Sequence, residues 1–171
     1  MNTGGPIMTK PNQVGGKESF FLDDLHVGQR FTSGRRRIDE EQIKAFAVEF
    51  DPQPFHLDTE SAKDTLFGGL VASGWHTAAI TMRLLVESGL PIAGGIVGAS
   101  GEITWPNPTR PGDVLQVESE ILELRPSRSH PDRGMATIRS ETRNQRNEIV
   151  QVFLARLVVP CSAEPTRVGP T

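Results

Sequence analysis

The chain has 171 residues, of which 36% are hydrophobic and 23% are charged, as in an ordinary soluble domain. Its 18 basic and 21 acidic side chains give a net charge of −3, which excludes a general basic field for nucleic acid. The single cysteine, Cys161, excludes a disulfide within one chain, and no apolar run is long enough for a secretory signal or a membrane span. These features predict a cytoplasmic protein that binds neither nucleic acid nor membrane.

Composition divides the chain into three regions. Residues 1–19 are rich in Gly, Pro, Asn and Lys and are predicted to be a disordered tail. Residues 20–160 are predicted to form one folded domain, which is long enough to bury a core without metals or disulfides. Residues 161–171 are predicted to be a C-terminal tail.

The first predicted elements are a strand and a helix. The strand covers residues 29–33 or slightly beyond and follows Gly28. Asp39 is a predicted helix N-cap with Gln42 in the capping-box position, and apolar residues then recur at helical spacing. Because Pro52 restricts the residue before it, this helix is predicted to end near Phe50. Arg35-Arg36-Arg37 favours a solvated strand end over a phosphate site.

A longer helix is predicted over residues 73–88, after a short helical turn at residues 59–64. Apolar side chains cover most of its circumference, which is typical of a buried helix. The rest of the domain reads as strand, with a hairpin at residues 144–148. The predicted strands are Ile96–Trp105, Val114–Leu124, Met135–Arg143 and Ile149–Val159. The order of elements predicts an α+β fold, in which one buried helix packs on an antiparallel sheet.

The segment Asp51-Pro52-Gln53-Pro54-Phe55-His56 carries a carboxylate and an imidazole in a stretch with two prolines. The prolines predict a rigid, extended loop, and such a loop can position an acid and a base for proton transfer. Without further context the structural alternative is favoured, in which Asp51 caps the following backbone and His56 packs on Phe55.

The helix start at Ser73-Gly74 is the second candidate. The first N–H groups of a helix have no partner within it, and glycine lets a ligand approach closely. An N–H at this place would stabilise the oxygen of an enolate-like transition state. The alternative is that Gly68, Gly69 and Gly74 only permit a tight turn and close packing.

The segment from Phe46 to Trp75 resembles the MaoC-like, (R)-specific enoyl-CoA hydratase family. That family carries a D-x-N-P-x-H motif, which stands here as residues 51–56, and then a run like F-x-x-x-I-x-H-G-M, which stands here as residues 67–75. The resemblance covers about residues 20–160. It implies a hot-dog fold, in which an antiparallel sheet wraps a long helix, and a dimer in which the two sheets join.

The resemblance also implies a reaction. Asp51 and His56 would activate one water and add it across the double bond of a trans-2-enoyl-CoA. The Gly74 N–H, with Ser73 beside it, would bind the substrate and polarise the thioester carbonyl. No cofactor is expected, because CoA is part of the substrate, and the expected partners are an acyl-CoA and further copies of the chain in a homodimer or an assembly of dimers. Gln53 and Ser73 depart from the family's Asn and His.

Two other functions stay open from the sequence. A hot-dog thioesterase would share the fold and ligand, but the central helix offers only Glu87, near its far end, as the carboxylate that hydrolysis usually needs. A non-catalytic acyl-CoA-binding subunit would keep the fold and lose the reaction. The departures at Gln53 and Ser73 keep this second alternative open, whereas Asp51 and His56 argue against it.

The remaining candidate site residues have less support from the sequence. His76 has no third ligand with which it and His56 would hold a metal, so no metal site is predicted, and Ser73 with His76 lacks a nucleophile elbow. Arg128 lies in a basic loop with Arg125 and Arg133 that suits the phosphates of CoA, although an ordinary solvated hairpin explains the loop equally well. Trp105 is predicted to be a core or interface aromatic.

Overall fold

A five-stranded antiparallel sheet forms one face of the domain in the computed structural model, which describes residues 12–14 and 17–162. Its strands are β3 (Arg30–Arg37), β4 (Val97–Thr104), β5 (Val114–Pro126), β6 (Arg133–Arg143) and β7 (Ile149–Pro160). They lie in the order β3-β5-β6-β7-β4, so β3 and β4 are the two edges. A separate pair consists of β1 (Asn12–Val14) and β2 (Lys17–Ser19).

Four α-helices lie between β3 and β4. They are α1 (Glu40–Phe50), α2 (Pro54–Leu57), α3 (Thr59–Lys63) and α4 (Gly74–Leu84), and α4 continues as a π-helical turn over Leu85–Gly89. The predicted α+β class, the antiparallel sheet and the central helix are confirmed. None of the helices in the described residues is both long and apolar enough to cross a membrane.

The core lies between α4 and one face of the sheet. Alternation along β5 and β6 buries Leu115, Val117 and Ile138, and α4 contributes Ile80 and Leu84 from one stripe. Each such side chain stabilises the fold by about 1.5–3 kcal/mol through burial. This packing fixes α4 against the sheet and therefore fixes the position of its N-terminus.

The start of α1 has the predicted capping box. The Gln42 N–H donates to Asp39 Oδ1 at 2.9 Å, and the Asp39 N–H donates to Gln42 Oε1 at 3.1 Å. The helix ends at Phe50, as predicted, and Asp51 leaves it with φ −152°. Asp51 thus emerges from the C-terminal end of α1 and faces the elements that follow.

Two predictions about the helices were wrong. The segment after Asp51 is not extended throughout, since α2 begins at Pro54, and proline at the first helical position is well tolerated. The central helix is not buried all round: Trp75 is 62% exposed and Val86 is 63% exposed. Apolar periodicity identifies faces that avoid water, but it does not say which of them the same chain covers.

The ends of the domain also differ in detail from the prediction. The first strand extends to Arg37, so the three arginines lie within β3 and pair with β5. Part of the predicted N-terminal tail forms the β1–β2 pair, since two short strands can join through backbone hydrogen bonds without apolar periodicity. At the other end, the first residue of the predicted C-terminal tail is held to the domain, since the Cys161 N–H donates to Asp132 O at 2.8 Å. The remaining tail positions, 1–11, 15–16 and 163–171, lie outside the described residues.

Candidate active site

Asp51 and His56 meet in space. The Asp51 Oδ2 atom lies 3.3 Å from His56 Nε2. Asp51 is half-buried at the end of α1, whereas His56 is only 5% exposed within α2. The turn that Pro52 and Pro54 impose between the two helices brings the side chains together. His56 also packs edge-on against Phe55, as the structural alternative required, but it makes both contacts at once.

The other nitrogen of His56 fixes the tautomer of the ring. His56 Nδ1 lies 2.7 Å from Val71 O, and a carbonyl oxygen can only accept, so Nδ1 carries a hydrogen. In the neutral ring, Nε2 is then an acceptor that faces a carboxylate. Two acceptors at this distance need a hydrogen between them or a molecule that donates to both. The pair is therefore built to hold a proton or a water.

The carboxylate of Asp51 is braced from two sides. Ser73 Oγ donates to Oδ2 at 2.6 Å, and Gln53 Nε2 donates to Oδ1 at 2.7 Å. The Ser73 hydrogen bond, followed by that of Gln53 and the neighbouring His56, lowers the pKa of Asp51 against the opposing effect of burial. Asp51 is thus ionised at neutral pH, and the longer amide of Gln53 still braces the loop.

Ser73 connects Asp51 to the start of α4. Its hydroxyl donates to Asp51 and accepts from the Trp75 N–H at 3.2 Å as the N-cap of α4. The hydroxyl hydrogen is thus used by Asp51, and one of the two lone pairs of the oxygen by the Trp75 N–H. Ser73 therefore couples the helix start to the carboxylate.

Gly74 is the first residue of α4, so its N–H has no partner within the helix. The indole of Trp105 packs on this residue: a Cβ at position 74 would lie 2.8 Å from Trp105 Cε2. Trp105 is held in turn by Gln151, whose buried Oε1 accepts from Trp105 Nε1 at 2.9 Å. Only glycine fits between the helix start and this ring.

These groups share one cavity of about 660 Å³. Asp51, His56 and Gly74 line it together with Trp105 and Arg110. Much of the remaining wall is apolar, and its members include Phe55, Leu66, Phe67, Val71, Ala72 and Val150. An anionic carboxylate, an imidazole and a backbone donor thus converge on a space that suits an apolar or mixed organic ligand.

The MaoC-like domain family model matches residues 25–143, which include the dyad, α4 and most of the sheet. The chain belongs to the MaoC-like domain family. The hot-dog architecture inferred from the sequence is confirmed by the sheet, the central helix and the solved structures of the family.

Three relatives illustrate the similarity. A crystal structure of the MaoC-like dehydratase from Rhodospirillum rubrum shares 61% identity with a TM-score of 0.84, over 85% of this chain and 99% of that one. The uncharacterized protein YdeM of Bacillus subtilis is 35% identical over 81% of this chain and 96% of its own length. A 3-hydroxybutyryl-CoA dehydratase of Methylorubrum extorquens is 32% identical over 63% of this chain and 68% of its own length.

The sequence did not predict several residues that line the cavity of this MaoC-like chain. Thr109 and Arg110 line the cavity, and Arg110 Nη2 donates to Phe67 O at 2.8 Å. Trp105 lines both this cavity and an apolar groove that includes Gly101 and Phe153. The available signal was the Pro-rich stretch after Trp105, since rigid loops often carry site residues.

Arg128, which was predicted as a possible contact of CoA, lies away from the dyad. Arg128 lines a separate cavity with Val158, whereas Val150 lines the dyad cavity. These two valines are near opposite ends of β7, about 26 Å apart at 3.3 Å per residue. Within one chain the structure therefore does not bring Arg128 to the site.

His76 does not join His56. Its ring stacks on Phe46 with centroids 4.5 Å apart, and its buried Nδ1 has no hydrogen-bond partner in the described part of the chain. Burial, and then the positive charge of Arg36, lower the pKa of His76. No cluster of three or more His, Cys, Asp or Glu side chains suited to a metal occurs among the residues that the structure describes.

Proposed function

We propose that the protein adds water reversibly across the 2,3 double bond of a trans-2-enoyl-CoA. The observation that carries this proposal is the contact of Asp51 Oδ2 with His56 Nε2 at 3.3 Å, with the other ring nitrogen hydrogen-bonded to Val71. Both atoms are acceptors in the neutral pair, and a water that donates one hydrogen to each satisfies them. That water would be oriented with its oxygen free to attack.

The reaction then needs one proton transfer in each direction. His56 Nε2 takes a proton from the water as the water oxygen bonds to C3, and the electrons of the double bond move onto the thioester as an enolate. The imidazolium, stabilised by ionised Asp51, returns the proton to C2 and restores the neutral ring. Dehydration follows the same steps in reverse. This chemistry requires no metal or redox cofactor, since CoA is part of the substrate.

The backbone at Gly74 would stabilise the enolate. Its N–H lies at the positive end of the α4 dipole and on the wall of the same cavity. The Trp105 indole packs against the Cα side of this residue. The dehydratase name of the Methylorubrum extorquens relative supports a substrate of the 3-hydroxyacyl-CoA or enoyl-CoA class.

The thioesterase alternative has less support in the structure. Glu87 belongs to the π-helical turn, at the opposite end of the helix from Gly74, and its Oε1 is ion-paired with Arg83 at 2.6 Å. It does not line the dyad cavity. A non-catalytic subunit is also disfavoured, because Gln53 and Ser73 preserve the bracing of Asp51 despite their departure from the family motif.

We also propose that the chain forms a homodimer through α4 and β4. Four exposed residues of the central helix lie on one stripe at positions i, i+4, i+7 and i+11, namely Trp75, Ala79, Met82 and Val86. Beside them β4 is an edge strand with seven of its eight residues exposed. An apolar stripe next to an open sheet edge favours a protein partner, and a second copy satisfies both surfaces by symmetry.

One assay tests the reaction. The protein is mixed with crotonyl-CoA, and the loss of enoyl absorbance is followed together with the release of free thiol. We expect enoyl loss without thiol, and a fall in kcat/KM of the order of 10²–10⁴-fold in Asp51→Asn and in His56→Ala. Thiol release would indicate a thioesterase, and binding without either change would indicate a silent subunit. Unchanged hydration in both variants would refute the dyad.

A further inference from the structure

Two threonine side chains lie against each other on the wall of the active-site cavity. Thr77 belongs to α4 and Thr109 to the loop after Trp105, and each is only 2% exposed. Much of the neighbouring wall is apolar, as described above. Buried hydroxyls in such a place need partners, because a buried polar group without one costs free energy.

One of the two hydroxyl hydrogens in this pair is not used in the hydrogen bonds that the pair makes. Thr77 Oγ1 donates to Thr109 Oγ1 at 3.0 Å, and it makes a second, longer hydrogen bond to Ser73 O at 3.4 Å. Its single hydrogen points to the nearer acceptor, Thr109 Oγ1, in the shorter of the two bonds. Thr109 therefore accepts from Thr77 and keeps its own hydroxyl hydrogen. Among the described residues this hydrogen has no acceptor, so it is available to an oxygen that a ligand brings into the cavity.

The position of the pair indicates which part of a substrate it meets. Thr77 is three residues beyond Gly74, about 4.5 Å along the axis of α4 at 1.5 Å per residue. If the Gly74 N–H binds the thioester oxygen, an extended acyl chain that runs beside α4 brings its C4 substituent to the level of Thr77 and Thr109. The free donor thus faces the far end of a short acyl group.

We propose that the cavity selects short 2-enoyl-CoA substrates that carry an oxygen acceptor on C4, and that Thr109 is the specificity-determining residue. This inference rests on the proposed hydratase function. An alkyl group at C4 would leave the Thr109 donor unpaired in an apolar surrounding, and sites built to bind a substrate oxygen discriminate against analogues that lack it.

With Arg110 beside Thr109, the oxygen on C4 of the substrate can belong to a carboxylate as well as to a hydroxyl. It follows Thr109 in the chain and lines the same cavity. Its guanidinium donates to Phe67 O and forms no ion pair with a carboxylate in the described part of the chain. A C4 oxygen can therefore be neutral or anionic, and the two classes are separate arms of the test.

The test compares trans-4-hydroxybut-2-enoyl-CoA with trans-pent-2-enoyl-CoA, which differ only in a hydroxyl against a methyl group at one place. Fumaryl-CoA supplies the carboxylate arm. We expect kcat/KM for at least one oxygen-bearing substrate to exceed that for pentenoyl-CoA by about tenfold or more. Preference for the hydroxyl identifies a neutral acceptor, preference for the carboxylate an anionic one, and preference for neither overturns the inference.

Variants of Thr109 separate recognition from simple packing. Thr109→Val keeps the shape and removes the donor, so the preference should fall to about one, whereas Thr109→Ser should retain it. A purely structural role would lower kcat/KM for all substrates by the same factor and leave the ratio unchanged, which would also overturn the inference. If Thr109→Val does not fold, the test is decided by the wild-type protein alone, from the ratio of kcat/KM for an oxygen-bearing substrate to kcat/KM for pentenoyl-CoA.

The outcome is separable from that of the proposed function. Crotonyl-CoA has no C4 oxygen, and its hydration by the wild-type protein tests the reaction by itself. Hydration of crotonyl-CoA without any preference for oxygen-bearing substrates would overturn only the inference about Thr109. Failure to hydrate every enoyl-CoA would refute the hydratase function.

Discussion

Asp51 and Ser73 are joined by a 2.6 Å hydrogen bond across 22 positions of the chain. The bond connects the end of α1 to the start of α4, and it places the carboxylate beside both His56 and the Gly74 backbone. One hydroxyl therefore supports the electrostatics of the dyad and the end of the central helix together.

Ser73→Ala should shift the acid limb of the pH–rate profile to higher pH. The Ser73 hydrogen bond is the largest cause of the lowered pKa of Asp51, so its loss raises that pKa, and Asp51 becomes protonated at a higher pH than in the wild type. Loss of the cap should also cost about 1 kcal/mol of stability. The measurements are kcat/KM against pH and the free energy of unfolding.

A matched control for this prediction is Asp39→Ala, which removes the N-cap of α1. It should lower stability by a similar amount without moving the acid limb. If Asp39→Ala and Ser73→Ala shift the profile equally, the effect comes from general destabilisation and not from Asp51.

Gly74→Ala should reduce kcat/KM by about 100-fold, as expected for a misplacement of about 1 Å at the reacting groups. The new methyl group would overlap the Trp105 ring, which would have to move away from Gln151. The double variant Gly74→Ala with Trp105→Leu relieves the overlap and should recover part of the activity relative to Gly74→Ala. A Gly74→Ala protein with wild-type activity and unchanged tryptophan fluorescence would contradict the close packing.

His76→Phe should make the protein less sensitive to acid. Burial lowers the pKa of His76, so as the pH falls below the unfolded value of about 6.5 the unfolded state binds a proton before the folded state does. Stability is therefore lost between that pH and the lower folded pKa, and the variant removes this loss while it keeps the stacking on Phe46. Denaturant unfolding at several pH values measures it, and exposed His130→Gln should leave the wild-type slope in place.

Val86→Asp should dissociate the proposed homodimer. Val86 is 63% exposed at the far end of the apolar stripe, and a charge there would be buried against the second copy. Val48→Asp is the matched control, since Val48 is 69% exposed on α1, away from the stripe. Light scattering coupled to gel filtration should show a monomer for the first variant and a dimer for the second. Two identical dimers would place the interface elsewhere.

Local signals in the sequence predicted much of the fold, and they pointed to Asp51, His56 and Gly74, which the structure brings to one cavity. The capping box at Asp39, the break at Pro52 and the alternation in β5 and β6 act over a few residues, so their outcomes can be derived without tertiary structure. The contact between Ser73 and Asp51 depends on how two helices meet, and spacing alone does not provide it. For the same reason Arg128 was grouped with the site, although it lies toward the other end of the sheet.

The exposed face of α4 illustrates a second limit. The apolar residues around most of α4 predicted that the helix would be buried on nearly all sides. Within one chain, however, only the side that carries Ile80 and Leu84 is covered. Thr109 and Arg110 were missed because ordinary polar residues in a loop acquire chemical meaning only from the cavity that they line.

Trp105 lies on the wall between the dyad cavity and the groove beside Trp75, with the two indole rings 5.6 Å apart. In the proposed homodimer, a ligand that contacts one side of this ring and a second copy that packs on the other would share a single side chain. Their binding free energies are then linked, and the linkage is equal in both directions. We expect substrate to change the strength of subunit association, and dilution of the protein to change its apparent affinity for substrate in the matching direction.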